Sequence, residues 1–333
     1  MSVRRLHRTL GILLAIAAVF ALAACSKIPG STKKETAAAA VIDEFTVPYE
    51  LLRYYVRNHM DSYAAGDGGY WTAQRAEEMT ESIYADTFAS LREQYAVFSL
   101  CKQYGIDRGS DTITELVNTE VQAVIEACGG EDAYVDELKA NYMNDSVFRF
   151  FTTVSVCRDE LFYAMLNAGE LETDETVLKE MIESEAFVRV KQILVTSETA
   201  GSQAQALARA EAVRDLALSG EDFDSLVREY GEDLYMFQNT DGYYMCRGVW
   251  YHGFEDAAFD LQIGEVSPVI ETPAGYSILL RCEKDENYLT EHFEELCDDY
   301  RDAQFCLALE EKAASMTVTR QSAMDGLSIL DIE

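Results

Sequence analysis

The sequence predicts an α+β protein in which helical segments flank a small inserted sheet domain. Three observations carry that prediction. From about residue 41 to 185, apolar residues recur at helical spacing. At 186–197 the residues alternate and are rich in Val and Ile, and "EVSPVIET" and "GYSILLRCEK" read as two further strands joined by a turn. At 287–315 the helical period returns. A chain of 333 residues suggests about two domains, and 48% hydrophobic residues suffice for separate cores.

Residues 1–24 are not expected to join the fold. Arg4, Arg5 and Arg8 form a positive lead, followed by the apolar run "LGILLAIAAVFALAA", which stops at Cys25. The run is too short and too one-sided for an ordinary spanning helix and reads as an export signal. "SKIPGSTKKETAAAA" then lacks periodicity, so residues 25–40 read as a tether.

The helical segment, 41–185, opens with a short extended lead-in. A helix follows Pro48 and carries the stripe Leu51, Leu52, Tyr55, Val56 and Met60. "GDGG" at 66–69 reads as a loop. A long helix from about Ala73 to Tyr104 ends at Gly105. A capped helix has Ser110 or Asp111 before it and Gly129 after it. "EDAYVDELKANYM", "NDSVFRFFTTVSVCRDELFYAMLNAG" and "TDETVLKEMIESE" complete the segment.

The sheet domain, 186–284, reads as a strand at 186–197, helices at "SQAQALARAEAVRDLALSG" and "EDFDSLVREYG", and an irregular aromatic stretch at 231–253. The short helix "FEDAAFDLQIG" and the strands "EVSPVIET" and "GYSILLRCEK" follow. Residues 285–333 form a long helix, expected to pack back on the helical domain, and end in the extended run "GLSILDI".

Charge and rare residues narrow the functions. Asp and Glu number 59 against 27 Lys and Arg, and removing the leader's three Arg makes the chain more acidic still. A phosphate backbone needs a basic surface, so nucleic acid is not an expected partner. Seven cysteines remain after Cys25 without a CxxC or zinc spacing, and read mainly as small buried hydrophobes. His59, His252 and His292 are isolated, so neither a metal site nor a His-based triad is expected.

On the pieces "VRVKQILV", "AEAVRDLALSGEDFDSLVREYGED" and "GFEDAAFDLQIGEVSPVIETPAGYSILL", in this order, residues 187–283 resemble a parvulin-type peptidyl-prolyl isomerase domain. "VPYELLRYYV", "KQYGIDRGSDTITELVNTEV" and "ACGGEDAYVDELKANYMNDSVFRFF" resemble the helical domain of PrsA- and SurA-type chaperones, and "LAAC" resembles a bacterial lipoprotein processing site. Together they follow the layout of PrsA-type foldase lipoproteins. The resemblance implies a lipid on Cys25 and a place on the extracytoplasmic face of a bacterial membrane. It also implies unfolded or nascent secreted polypeptides containing proline as partners, and no cofactor. A homodimer is compatible with it.

The resemblance also implies a site. Phe254 maps to the aromatic at the start of the "FED" helix, Trp250 to a second apolar residue four positions earlier, and Asp233 to the acidic or Cys position beside the substrate carbonyl. Where the family has His in the first and last strands, this chain has Gln192 and Ser277. The usual Gly-Gly-Asp-Leu-Gly run is replaced by "NTDGYYM". Gln and Ser can hydrogen-bond each other but do not titrate near neutral pH. Two readings stand: a weak isomerase, or a non-catalytic peptide-binding chaperone or scaffold on a degenerate parvulin fold. Without the resemblance, Phe254 and Trp250 read equally as core, Asp233 as a cap, and Gln192 and Ser277 as sheet residues.

Overall fold

The computed structural model describes residues 38–67 and 71–332. The leader, Cys25 and most of the tether lie outside the described residues. The chain divides into two units, one running to Ala164 and resuming at Leu309, the other Met165–Ala308. It is an α+β fold with the smaller sheet unit inserted in the chain of the helical one.

In the helical unit, β1 (Ala38–Ile42) and β2 (Phe45–Pro48) form a hairpin. Ala38–Ala40, expected to end the tether, already belong to this first strand. Pro48 closes β2, and α1 (Tyr49–Asp67) starts after it and runs two residues into the expected loop. The stripe on α1 is buried at Leu51, Leu52, Val56 and Met60, and Tyr55 is half-buried. α2 (Ala73–Gln103) supplies Tyr95, whose ring meets Phe45 at 5.4 Å and Phe150 at 5.4 Å. α3 (Asp111–Cys128) is capped by Ser110, whose hydroxyl accepts from Ile113 N, and ends on Gly129 at φ 92°. That left-handed conformation favours glycine. α4 (Glu131–Ala140) and α5 (Asp145–Ala168) follow.

The sheet unit contains α6 (Glu175–Glu183), β3 (Val188–Val195), α7 (Ser197–Ala200), α8 (Gln203–Leu218) and α9 (Phe223–Tyr230). Next come α10 (Leu234–Gln238), β4 (Tyr243–Met245), α11 (His252–Asp260), β5 (Ile270–Thr272) and β6 (Gly275–Cys282). The four strands are antiparallel in the order β4-β3-β6-β5. Only Ile270–Thr272 of "EVSPVIET" is strand, with Val266 making an isolated bridge to Leu280. Conversely, the stretch expected to be irregular holds both α10 and β4. Strand alternation sends Ile193, Val195 and Ile278 to one face, against Ala210, Val213 and Leu226 of α8 and α9. It sends Val188, Val190 and Leu279 to the other, against Phe254, Ala258 and Leu261 of α11 and its end.

α12 (Glu286–Glu291) leads into α13 (Phe293–Ser315), whose Leu296, Cys297 and Ala303 pack on Leu178, Ile182 and Phe187. β7 (Val318–Arg320) then pairs antiparallel with β1, closing the sheet β2-β1-β7 of the helical unit. The terminal "GLSILDI" is not extended. Ile329–Asp331 form a 3-10 turn that buries Ile329, and the strand lies earlier, at 318–320. Of the seven cysteines, Cys101, Cys157, Cys246 and Cys297 are buried and the other three half-buried. Among the described residues no helix is long and apolar enough to cross a membrane.

Candidate active site

The site is built on the sheet face that α11 covers. Gln192 of β3 and Ser277 of β6 both lie on it by strand alternation, alongside Val190 and Leu279. Gln192 Nε2 donates to Ser277 Oγ at 2.7 Å, and both side chains are buried. The two positions at which the resembled family carries His therefore satisfy one another by a neutral hydrogen bond.

Phe254 begins the covered face of α11 and packs in the cluster with Val190 and Leu279. Trp250, just before the helix, stacks on it with centroids 5.4 Å apart and planes 13° from parallel. A helix alone does not set this stacking, because Trp250 is in the preceding loop. Glu255 sets it. Its carboxylate Oε1 accepts from three backbone amides, Gly248 N at 2.8 Å, Val249 N at 3.1 Å and Trp250 N at 2.8 Å. Glu255 is 2% exposed, so these bonds replace its hydration. Sequence reasoning missed this residue. Its only signal was an acid inside the apolar "FEDAAF".

Asp233 caps α10. Its Oδ1 accepts from Tyr235 N at 2.9 Å, and its Oδ2 accepts from the Tyr243 hydroxyl at 2.6 Å. The neighbouring Glu232 ties this corner to the sheet. Its amide donates to Leu194 O, opposite Ser277 in register, and its carboxylate accepts from Thr196 N, from the Thr196 and Thr199 hydroxyls and from Arg209. Burial raises the Glu232 carboxyl, but these donors together hold it below the usual glutamate range.

Tyr243 completes the site and was also missed, since "NTDGYYM" has no periodicity to place it. Its ring stacks on Tyr235 at 4.6 Å and meets Trp250 edge-on at 4.8 Å. Burial, and then the hydrogen bond to Asp233, push its phenol well above the ordinary tyrosine range. The result is a row of rings, Tyr235, Tyr243, Trp250 and Phe254, grading from 41% exposed at Tyr235 to 4% at Phe254. Such a row offers apolar faces at one end of which a carboxylate is held ready. The structure thus places Trp250 with Phe254 and Gln192 with Ser277, and links Asp233 to Trp250 through Tyr243. Cys25 lies outside the described residues.

Buried Arg281, on the same sheet face, donates to Ala258 O at 3.1 Å and to Glu185 Oε2 at 2.6 Å, anchoring α11 from beneath. Among the described residues no group of three His, Cys, Asp or Glu is placed to hold a metal ion. A shallow groove along α3, lined by Asp111, Glu115, Asn118 and Gln122, belongs to the other unit and presents one helix's polar face.

The family model of the rotamase PPIC-type PPIase domain matches residues 187–283. Foldase protein PrsA of Caldanaerobacter subterraneus subsp. tengcongensis is 30% identical over 168 residues, covering 48% of this chain and 51% of that protein. Foldase protein PrsA of Geobacillus kaustophilus is 26% identical over 216 residues, covering 64% of this chain and 67% of that protein. Chaperone SurA of Chromobacterium violaceum is 33% identical over 90 residues, covering 27% of this chain and 21% of its own. The match therefore spans about half the length of the first of these relatives. The solved PrsA from Streptococcus pneumoniae superposes with a TM-score of 0.36 at 19% identity, over 73% of this chain and 83% of that one, too loosely to carry an argument. Residues 187–283 thus match the PPIC-type PPIase domain, and the chain is similar to PrsA and SurA foldases over part of their length.

Proposed function

We propose that this chain is exported, held to a bacterial membrane by lipid on Cys25, and that it binds proline-containing stretches of unfolded secreted polypeptides and isomerises them slowly. In this reading 41–185 and 285–333 form the chaperone-like part and 186–284 the isomerase. The observation that carries it is the pairing of an aromatic wall, Trp250 on Phe254, with a carboxylate, Asp233, linked to it through the single ring of Tyr243.

Prolyl isomerisation breaks no covalent bond. Its barrier of about 18–20 kcal/mol is amide resonance, which places negative charge on the carbonyl oxygen. A proline ring seated on Trp250 and Phe254 is desolvated. A carboxylate beside the carbonyl oxygen disfavours the polarised planar form and so favours the twisted one. Gln192 and Ser277 contribute a fixed polar floor but no titratable group, which accounts for slow turnover.

The test is turnover of Xaa-Pro tetrapeptides by the chain from residue 26, beside Phe254→Ala and Gln192→His/Ser277→His. The expected result is measurable wild-type turnover, lost in Phe254→Ala and raised about tenfold or more in the double variant. Wild-type inactivity with gain in the double variant would favour the second reading, a non-catalytic peptide-binding chaperone. The observation behind that reading is the closed 2.7 Å bond between Gln192 and Ser277. Suppression of aggregation of an unfolded client separates that chaperone from a mere scaffold.

A further inference from the structure

Among the described residues, the hydrogen bonds to the Asp233 carboxylate come from Tyr235 N and from the Tyr243 hydroxyl. The first is a helix cap. The second is a side chain that does three things at once. Its hydroxyl reaches Asp233 at 2.6 Å, one face of its ring lies 12° from parallel to Tyr235, and its ring meets Trp250 edge-on. The backbone fixes it as well. Tyr243 pairs with Val190 in β3, and Gly242 before it stands at φ 84°, where a Cβ would come 2.5 Å from Val190 O. Gly242 thus lets the chain approach β3 closely enough to aim the Tyr243 ring between carboxylate and aromatic wall.

We propose that Tyr243 is a positioning residue: it holds the Asp233 carboxylate against the proline pocket, and this chain uses it where the imidazole pair is absent. The raised ionisation of its phenol keeps it a donor through the neutral range. Because the same ring touches Trp250, the distance between carboxylate and proline wall is set by one rigid side chain rather than by a relay across the sheet. The proposal rests on the isomerase reading above.

The test uses the full chain with Xaa-Pro tetrapeptides, measuring kcat and KM for wild type, Tyr243→Phe, Asp233→Asn and the double variant. Tyr243→Phe keeps the ring and removes the hydroxyl. Its kcat is expected to fall about tenfold or more, the size of one hydrogen bond to a charged group, with KM within about twofold. Asp233→Asn is expected to fall similarly, and the double variant no further than the worse single one. Wild-type kcat in Tyr243→Phe, or losses that multiply in the double variant, would overturn the proposal while leaving the isomerase reading intact. No turnover in wild type would instead sink the isomerase reading, and the proposal with it. If Tyr243→Phe proves unfolded by circular dichroism, Asp233→Asn decides: reduced kcat at unchanged KM supports the proposal, and wild-type kcat overturns it.

Discussion

Glu255 is a buried carboxylate whose three amide donors all belong to one loop, 248–250, so it acts as the loop's internal template. Replacing it by Ala leaves those amides without their acceptor. Glu255→Ala is expected to destabilise the sheet unit by on the order of 3 kcal/mol, and Glu255→Gln, which keeps one oxygen, by less. Urea titration checks the magnitude, and loss of Trp250 fluorescence change on peptide binding checks the loop. Glu232 offers a pH test at the same scale. Its carboxyl is held low in the folded chain, so its contribution is full above the unfolded value of about 4.3 and is lost as pH falls through the lower native value. The stability gap between wild type and Glu232→Gln should therefore hold from pH 7 to 5 and close below pH 4. A gap that persists unchanged at pH 3 would contradict this assignment.

The elements with many periodic residues were legible, and those fixed by a single turn were not. Val188–Val195 and Gly275–Cys282 run for eight residues each, long enough and rich enough in Val, Ile and Leu to read as strands. β4 has three residues, and its pairing depends on Gly242 touching β3, a long-range contact that no local pattern announces. The same limit applies to the site. Gln192, Ser277, Trp250, Phe254 and Asp233 were singled out through a resemblance of motifs, whereas Tyr243 and Glu255 make their contacts only once the loop folds back. At this scale Gly242→Ala is the informative change. It adds a Cβ against backbone at a positive φ, and should cost about 2–3 kcal/mol and detach β4. Faster hydrogen exchange at Tyr243–Met245, with β6 still protected, would show it. Equal protection of both strands would count against it.

For the whole molecule, the division into a helical and a sheet unit implies more than one unfolding transition. Calorimetry of the intact chain should show two. Ending the chain after Met316 removes β7, the Arg320 guanidinium that pairs with Glu81 and lies 5.1 Å from the Tyr84 ring, and buried Ile329 and Ile332. That truncation should abolish the helical unit's transition and leave the sheet unit's. Loss of both would show that the sheet unit depends on its host.

The pairing of β7 with β1 also sets an order of events. The sheet unit is continuous from Met165 to Ala308, so everything it needs is present once that stretch has been made. The helical unit is not: its central strand waits for residues 318–320, near the end of the chain. A chain emerging N-terminus first must therefore hold its first helices open while the later segment finishes, because their sheet closes across nearly the whole sequence. Until residues 318–320 are made, β1 lacks its second partner strand and the three-stranded sheet of the helical unit stays incomplete.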